Sequence, residues 1–341
     1  MADGAKPKHA HKGLKAQDQI VILPYRGYGN SAKIVLPGRV LEDEGFRPTL
    51  AGERRWRNFA AFLKRIESDE VPYAALRARF GAQQVELRAD NEGYFRLELG
   101  VRALKAGWQE VELALADDPA VKARGRVLVP SAKASFAVIS DIDDTVVYSH
   151  VMSKVRMLLT VALSNARTRK PFEGVAAFYR ALHAGCNPFF YVSKSPWNLY
   201  VPIAEYLETQ GLPEGPLFLR NLGLRMPHDH KQGAIGALLE AYPRLPFILI
   251  GDSGEADPEI YSEIVRRYPQ RIRVIYIRSV DRHPKRVAAI ERLIVEVAKT
   301  RCQLVLAPDS EHAAAHAAAE GLIAASELRA VRVEKKKDEN A

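Results

Sequence analysis

Cysteine is nearly absent: Cys186 and Cys302 are the only two in 341 residues, which excludes a disulfide framework and a cysteine-rich zinc centre. Any metal chemistry must then use oxygen ligands. No stretch approaches the roughly 18 uninterrupted apolar residues of a membrane-spanning helix. Met1 to Asp18 lacks the apolar centre of a secretory signal, so the chain reads as cytoplasmic. Also missing is any interleaving of aromatic with basic residues of the kind that reads nucleic acid. The formal charge of +9 therefore suits a phosphate ester or an acidic lipid surface better than nucleic acid. What is present is globular: 47% hydrophobic and 27% charged residues can support a packed core. The length exceeds the roughly 250 to 300 residues at which one core stops growing, so two domains are expected.

Residues 1–18 have no hydrophobic period and are expected to form a flexible tail. Over 19–130 short runs such as Gln19–Pro24, Tyr94–Leu99 and Glu110–Leu115 alternate apolar with polar residues between turn signals, which predicts a β-sandwich domain with an inserted helix at Arg55–Ile66. Over 131–325 the rhythm becomes short apolar strands followed by helices, the pattern of a parallel α/β sheet. Five strands are expected: Ser135–Ser140, Pro188–Ser193, Pro216–Arg220, Phe247–Ile250 and Arg273–Ile277. Pro308 to Lys337 has Ala-rich helical composition, and with its mixed-charge finish the end of the chain, 326–341, reads as a charged, solvated, frayed tail rather than a binding site.

The chemistry concentrates where strands end. Ser135-Phe-Ala-Val-Ile-Ser-Asp141 runs straight into Ile142-Asp143-Asp144-Thr145, and like charges so close need a cation or a proton to compensate them. Ligands of open parallel sheets bind beyond the carboxyl ends of the strands, which is where these carboxylates fall. A second strand ends in Ser193, and another in Gly251-Asp252 with Glu255, Asp257 and Glu259 beyond it. His230-Lys231 opens a helix and offers an ammonium group to the same edge.

In this order Asp-x-Asp-x-Thr, Ser, Lys and Gly-Asp-x-x-x-x-Asp resemble the four motifs of the haloacid dehalogenase superfamily. Asp141 to Thr145, Tyr191 to Tyr200, Pro216 to Arg220 and Gly251 to Tyr261 are similar to segments of the actin-patch-associated phosphatidate phosphatase family, as are Pro24-Tyr-Arg-Gly-Tyr-Gly29, Gly93-Tyr-Phe95, Ala307-Pro-Asp-Ser310 and Gly321-Leu-Ile323. The resemblance spans roughly residues 20 to 325 and implies a haloacid-dehalogenase-like domain behind the β-sandwich. It implies a Mg-dependent phosphatase converting phosphatidate to diacylglycerol and phosphate, working peripherally at a membrane surface. Asp141 would be the nucleophile and Asp143 the general acid and base, with Ser193 and Lys231 on the phosphoryl oxygens. Mg would take Asp141, the Asp143 carbonyl and Asp252, with Asp257 in or near its shell. Thr145, Lys194, Arg220 and Trp197 are the candidate substrate contacts. Lys194 departs from the asparagine often expected there, and Ala256 replaces a commonly polar or bulky residue. Trp197 either meets substrate or packs in the core, and Arg220 either binds phosphate or pairs with a carboxylate. The apolar face of Val151 to Leu163 is either a lipid-contacting flap or a packed cap helix. Two other readings stay open: a phosphatase for a soluble or nucleic-acid phosphomonoester, and a catalytically idle scaffold.

Overall fold

The computed structural model describes residues 19–43, 70–102, 104–142, 174–220, 230–281 and 283–339. The predicted helix at Arg55–Ile66, the flap at Val151 to Leu163, and Asp143 and Thr145 lie outside them. Two sheets are formed among the described residues. The first has eight strands: β1 (Gln19–Pro24), β2 (Gly27–Gly29), β3 (Lys33–Asp43), β4 (Ala75–Phe80), β5 (Gln83–Arg88), β6 (Tyr94–Gly100), β7 (Gly107–Leu115) and β8 (Lys122–Val129). They run in the order β1-β3-β2-β8-β7-β4-β5, with β6 on β3. Pairing is antiparallel for β1 with β3, β2 with β3, and β4 with β5 and β7, and parallel for β2 with β8. In β6 the alternation of Phe95 and Leu97 with exposed Arg96 and Glu98 puts one face in the core and the other in water.

The second sheet is wholly parallel. Its strands are β9 (Ala137–Asp141), β10 (Phe189–Pro196), β11 (Leu217–Arg220), β12 (Phe247–Asp252), β13 (Ile272–Arg278) and β14 (Gln303–Ala307), in the order β11-β10-β9-β12-β13-β14. Strands covered on both faces have no polar side to alternate, so Ala137-Val-Ile139 of β9 and Phe189-Phe-Tyr-Val192 of β10 read as unbroken apolar runs. Strand β14 was not expected from the sequence. It is a five-residue edge strand, too short and too mixed to separate from a loop by pattern.

The helices are α1 (Val175–His183), α2 (Tyr200–Thr209, entered through a 3₁₀ turn at Trp197–Leu199), α3 (His230–Ala241), α4 (Asp257–Arg267), α5 (Pro284–Val297), α6 (Ser310–Ala319) and α7 (Ala325–Glu339). Ile139, Phe190 and Leu249 of the sheet pack with Ile235 and Leu239 of α3 and Ile264 of α4 in one core. Each such side chain contributes roughly 1.5 to 3 kcal/mol of burial.

The contacts divide the chain into two compact units. One comprises Met1–Pro24, Pro37–Leu97 and Glu110–Gly125; the other comprises Tyr25–Leu36, Glu98–Gln109 and Arg126–Ala341. Two short early segments thus belong to the unit that carries the parallel sheet.

The chain end corrects the expectation of a frayed tail. Helix α7 buries Val331 completely and hands its charges to neighbours: Lys335 pairs with Asp309 at 2.7 Å and Arg332 with Glu311 at 2.7 Å. Helix α1 begins at Gly174, whose positive φ of 76° suits glycine, and no side chain of its own caps it. Its free amides are taken by α7 instead, Ala177 N donating to Glu334 at 2.7 Å and Gly174 N to Asp338 at 2.9 Å. A charged sequence looks solvated until its partners, some 160 residues away, are in place.

Candidate active site

The carboxyl edge of the parallel sheet gathers the motif residues. Asp141 ends β9, between β10 and β12, and Asp252 ends β12. Lys231 is the second residue of α3, and Asp257 is the first of α4. The Lys231 ammonium lies 2.9 Å from Asp141 Oδ1 and 3.5 Å from Glu255 Oε2, and pairs closely with Asp257 Oδ1. Lys194 Nζ meets the same Glu255 oxygen at 2.7 Å. Carboxylate oxygens of Asp141, Glu255 and Asp257 all fall within 4.8 Å of one another, so three acids face two ammonium groups.

Asp141 is the least satisfied of these groups. Its Oδ2 is buried and has no hydrogen-bond partner among the described residues. Burial pushes its pKa well above the carboxylate range, Asp257 and Glu255 push the same way, and Lys231 opposes them. Burial likewise raises Asp257 against the pull of Lys231. For Lys231 burial acts downward, but the attraction of Asp141 and Asp257 outweighs it and the ammonium is held above its ordinary value.

The loop from 252 to 256 is rigid for identifiable reasons. Asp252 Oδ1 accepts Gly254 N at 2.7 Å and Glu255 N at 3.1 Å, while Asp257 Oδ2 accepts Asp252 N at 3.1 Å. A Cβ on Gly251 would sit 2.2 Å from Asp257 Oδ2, so only glycine lets that carboxylate approach the strand end. Arg286 clamps the loop from outside: Nε donates to Ser253 O at 2.8 Å, Nη2 donates to Glu255 O, and the guanidinium pairs with Glu259. Of the three acids that come after Asp252 in the sequence motif, Glu255 and Asp257 turn into the cluster and Glu259 turns out to Arg286.

On the other side of β9, strand β10 slips out of register between Val192 and Pro196, and Ser193 lies within that bulge. Ser193 Oγ accepts Ser195 N at 3.0 Å and keeps its own proton to donate. Arg220 ends β11 opposite Pro196. Trp197 is half-buried, with the Tyr25 ring stacked on one face at 4.7 Å between centroids. A small cleft of about 80 Å³ opens beside Asp141 and Asp252, lined by Phe178 and Tyr179 of α1, Tyr276 and Arg278 of β13, and Ala313 of α6.

Gly251 and Glu255 were placed at this sheet edge by the sequence but given no role, and Arg286 was not singled out at all. The Gly-Asp-x-x-Glu spacing was visible, but which acids turn inward depends on the loop path.

The parallel sheet thus has an acid cluster at its carboxyl edge, a serine on the neighbouring strand and a lysine opening a helix, which is compatible with the haloacid-dehalogenase-like arrangement expected from the motifs. Residues 136–279 match the family model "Phosphatidate phosphatase APP1, catalytic domain". The chain is 32% identical over 149 residues to the phosphatidate phosphatase APP1 of Saccharomyces cerevisiae, covering 41% of this chain and 25% of the relative. It is 26% identical over 202 residues to an uncharacterized protein of Schizosaccharomyces pombe, covering 55% of this chain and 33% of that one. It thus spans between a quarter and a third of these curated relatives. A solved haloacid dehalogenase family hydrolase from Deinococcus radiodurans, with bound phosphate and sodium, superposes at a TM-score of 0.30 with 18% identity over 56% of this chain and 99% of that chain. That likeness is too loose to define even the fold.

Proposed function

We propose that the chain is a Mg-dependent phosphomonoesterase that hydrolyses phosphatidate to diacylglycerol and phosphate. The observation that carries the reading is Asp141: a buried carboxylate at the centre of the sheet edge, one oxygen held by Lys231 and the other unpartnered among the described residues, beside two further acids. The name of the S. cerevisiae relative supports the lipid substrate.

An orphaned buried oxygen and an all-oxygen donor set fit a hard divalent cation. Asp141, the main-chain carbonyl of Asp143 and Asp252 would hold Mg, with Asp257 in or near its shell, and when bound it would supply positive charge against the phosphoryl oxygens. Asp141 attacks phosphorus in line, so that a new P–O bond forms as the bond to the glycerol oxygen breaks, and Asp143 delivers its proton to the departing alkoxide. Asp143, now a carboxylate, takes a proton from the water that cleaves the aspartyl phosphate, which releases phosphate and restores Asp141. Ser193 and Lys231 hold the phosphoryl oxygens as charge spreads over three equatorial positions. Lys231 also opposes the burial that favours the neutral acid at Asp141.

Thr145, Lys194, Arg220 and Trp197 would contact the rest of the substrate, and the protein would act peripherally at a membrane from the cytoplasm. No helix among the described residues is long and apolar enough to cross one. The same reading divides the chain into a β-sandwich domain over 19–130 and a phosphatase domain over 131–325.

The test is phosphate release from micellar phosphatidate beside a panel of soluble phosphomonoesters, with Mg and with excess chelator. The reading expects Mg-dependent release from phosphatidate and none from Asp141→Asn. Release from soluble esters alone removes the lipid assignment, and full activity in chelator removes the metal.

A further inference from the structure

We infer that Tyr25 to Asn30, a segment far outside the matched residues 136–279, is a brace that positions the two phosphoryl-binding side chains, with Tyr25 as its principal positioning residue. This deepens the phosphatase reading and rests on it.

Ser193 sits in a stretch of β10 that the sheet does not hold. Val192 pairs with Phe218, the register then slips, and pairing resumes only at Pro196 opposite Arg220. Where Ser193 Oγ lies therefore depends on what fixes the far end of the bulge, at Pro196 and Trp197. That anchor is Tyr25. Its ring is 2% exposed and stacks on Trp197 with 7° between the planes, and its centroid is 4.2 Å from that of Tyr200, the first residue of α2. Arg26 N donates to Tyr200 Oη at 2.6 Å, and Arg26 Nε pairs with Glu214 at 3.0 Å. The turn just after Ser193 is gripped by a ring and a main-chain amide from one short segment, whose guanidinium also holds Glu214 ahead of β11.

The segment continues to the second element. Asn30 Nδ2 donates to Ala241 O at 2.8 Å, and Tyr242 Oη donates to Gly29 O at 3.1 Å, which ties the carboxyl end of α3 to the brace. Helix α3 begins with His230 and Lys231. Tyr25 to Asn30 thus touches both elements that carry Ser193 and Lys231, and all of these residues belong to one compact unit. A donor aimed at transition-state charge loses much of its effect when displaced by a fraction of an ångström, so the brace acts on rate more than on ground-state binding.

The experiment uses the full chain with Tyr25→Ala and Tyr25→Phe. Three quantities are measured: steady-state kinetics on whichever ester the wild type hydrolyses, affinity for orthovanadate, and the emission of Trp197 identified by comparison with Trp197→Phe. For Tyr25→Ala the expected result is kcat lowered about tenfold with KM within about twofold. Orthovanadate binding should weaken and Trp197 emission shift to the red as its face is uncovered. Tyr25→Phe, which keeps the stack, should restore all three. Rates are referred to the folded fraction from near-ultraviolet circular dichroism. If Tyr25→Ala shows wild-type kcat per folded molecule although the emission has moved, the inference is overturned while the phosphatase reading stands. If the wild type hydrolyses no ester but binds orthovanadate, and Tyr25→Ala weakens that binding, the brace stands and the phosphatase reading fails. A wild type that does neither has no phosphoryl site to position, and both fall.

Discussion

The two sheets use the same interaction in opposite ways. On the first, cation and carboxylate pairs lie across strands in water: Arg77 Nε is 3.1 Å from Glu86, with the two side chains 44% and 71% exposed. On the second, the middle of the strands is apolar and carboxylates gather at one edge, where Lys231 and Asp141 meet at 2.9 Å with both side chains 3% exposed. Solvent screens the first kind of pair to about 0.2 to 1 kcal/mol, whereas breaking one partner of a buried pair leaves an uncompensated charge. The first arrangement tunes a surface. The second stores an electrostatic tension that substrate and cation can relieve, and it is the expected form of a reactive site.

The largest effect should come from Lys231→Met. Losing the ammonium leaves Asp141 and Asp257 buried together, and denaturant unfolding at neutral pH in chelator should show a loss of about 3 to 5 kcal/mol. An unchanged midpoint would mean that the cluster is not under tension. Next comes Gly251→Ala, where a methyl group would press on the Asp257 carboxylate. Unfolding should show a loss of about 1 to 3 kcal/mol, and the Mg requirement should rise.

Asp141→Asn tests the sign of the tension. The native pKa of Asp141 is raised, so between the ordinary carboxylate value of 3.8 and that raised value the folded protein binds more protons than the unfolded chain. Stability from this group is therefore lost as pH rises through that window. The asparagine variant should melt higher than the metal-free wild type at neutral pH, with the gain vanishing below pH 3.8, while turnover is abolished. A variant that melts lower at neutral pH would contradict the burial argument. The smallest effect is expected of Arg77→Ala, within about 1 kcal/mol and weaker still in high salt. A larger loss would erase the contrast between the sheets.

The parallel sheet was legible where burial on both faces made strands continuous: Phe189-Phe-Tyr-Val and Phe247-Ile-Leu-Ile can be read directly, and the residues at their carboxyl ends carry the chemistry. Edge strand β14 was not, because Gln303 is exposed and Val305 and Leu306 are only half-buried. Strands β3 and β4 of the first sheet were also missed; β4 interrupts its apolar residues with Arg77 and Arg79, whose partners lie on other strands. The site was legible as far as residue types at strand ends. The inward turn of Glu255 and the part played by Arg286 were not, since a loop's direction and a clamp reached from α5 are properties of the folded chain. Tyr25 was visible only as part of a family-like segment, and its stack on Trp197, 172 positions away, has no local signal.

The most direct test is rapid acid quench of the full chain during turnover of phosphatidate labelled in its phosphate, with peptide mapping of the trapped protein. The account predicts a transient acid-stable, alkali-labile phosphoryl group on Asp141 that is absent from Asp141→Asn. Burst-free release with no labelled peptide, or label on a residue away from the β9 edge, would contradict it.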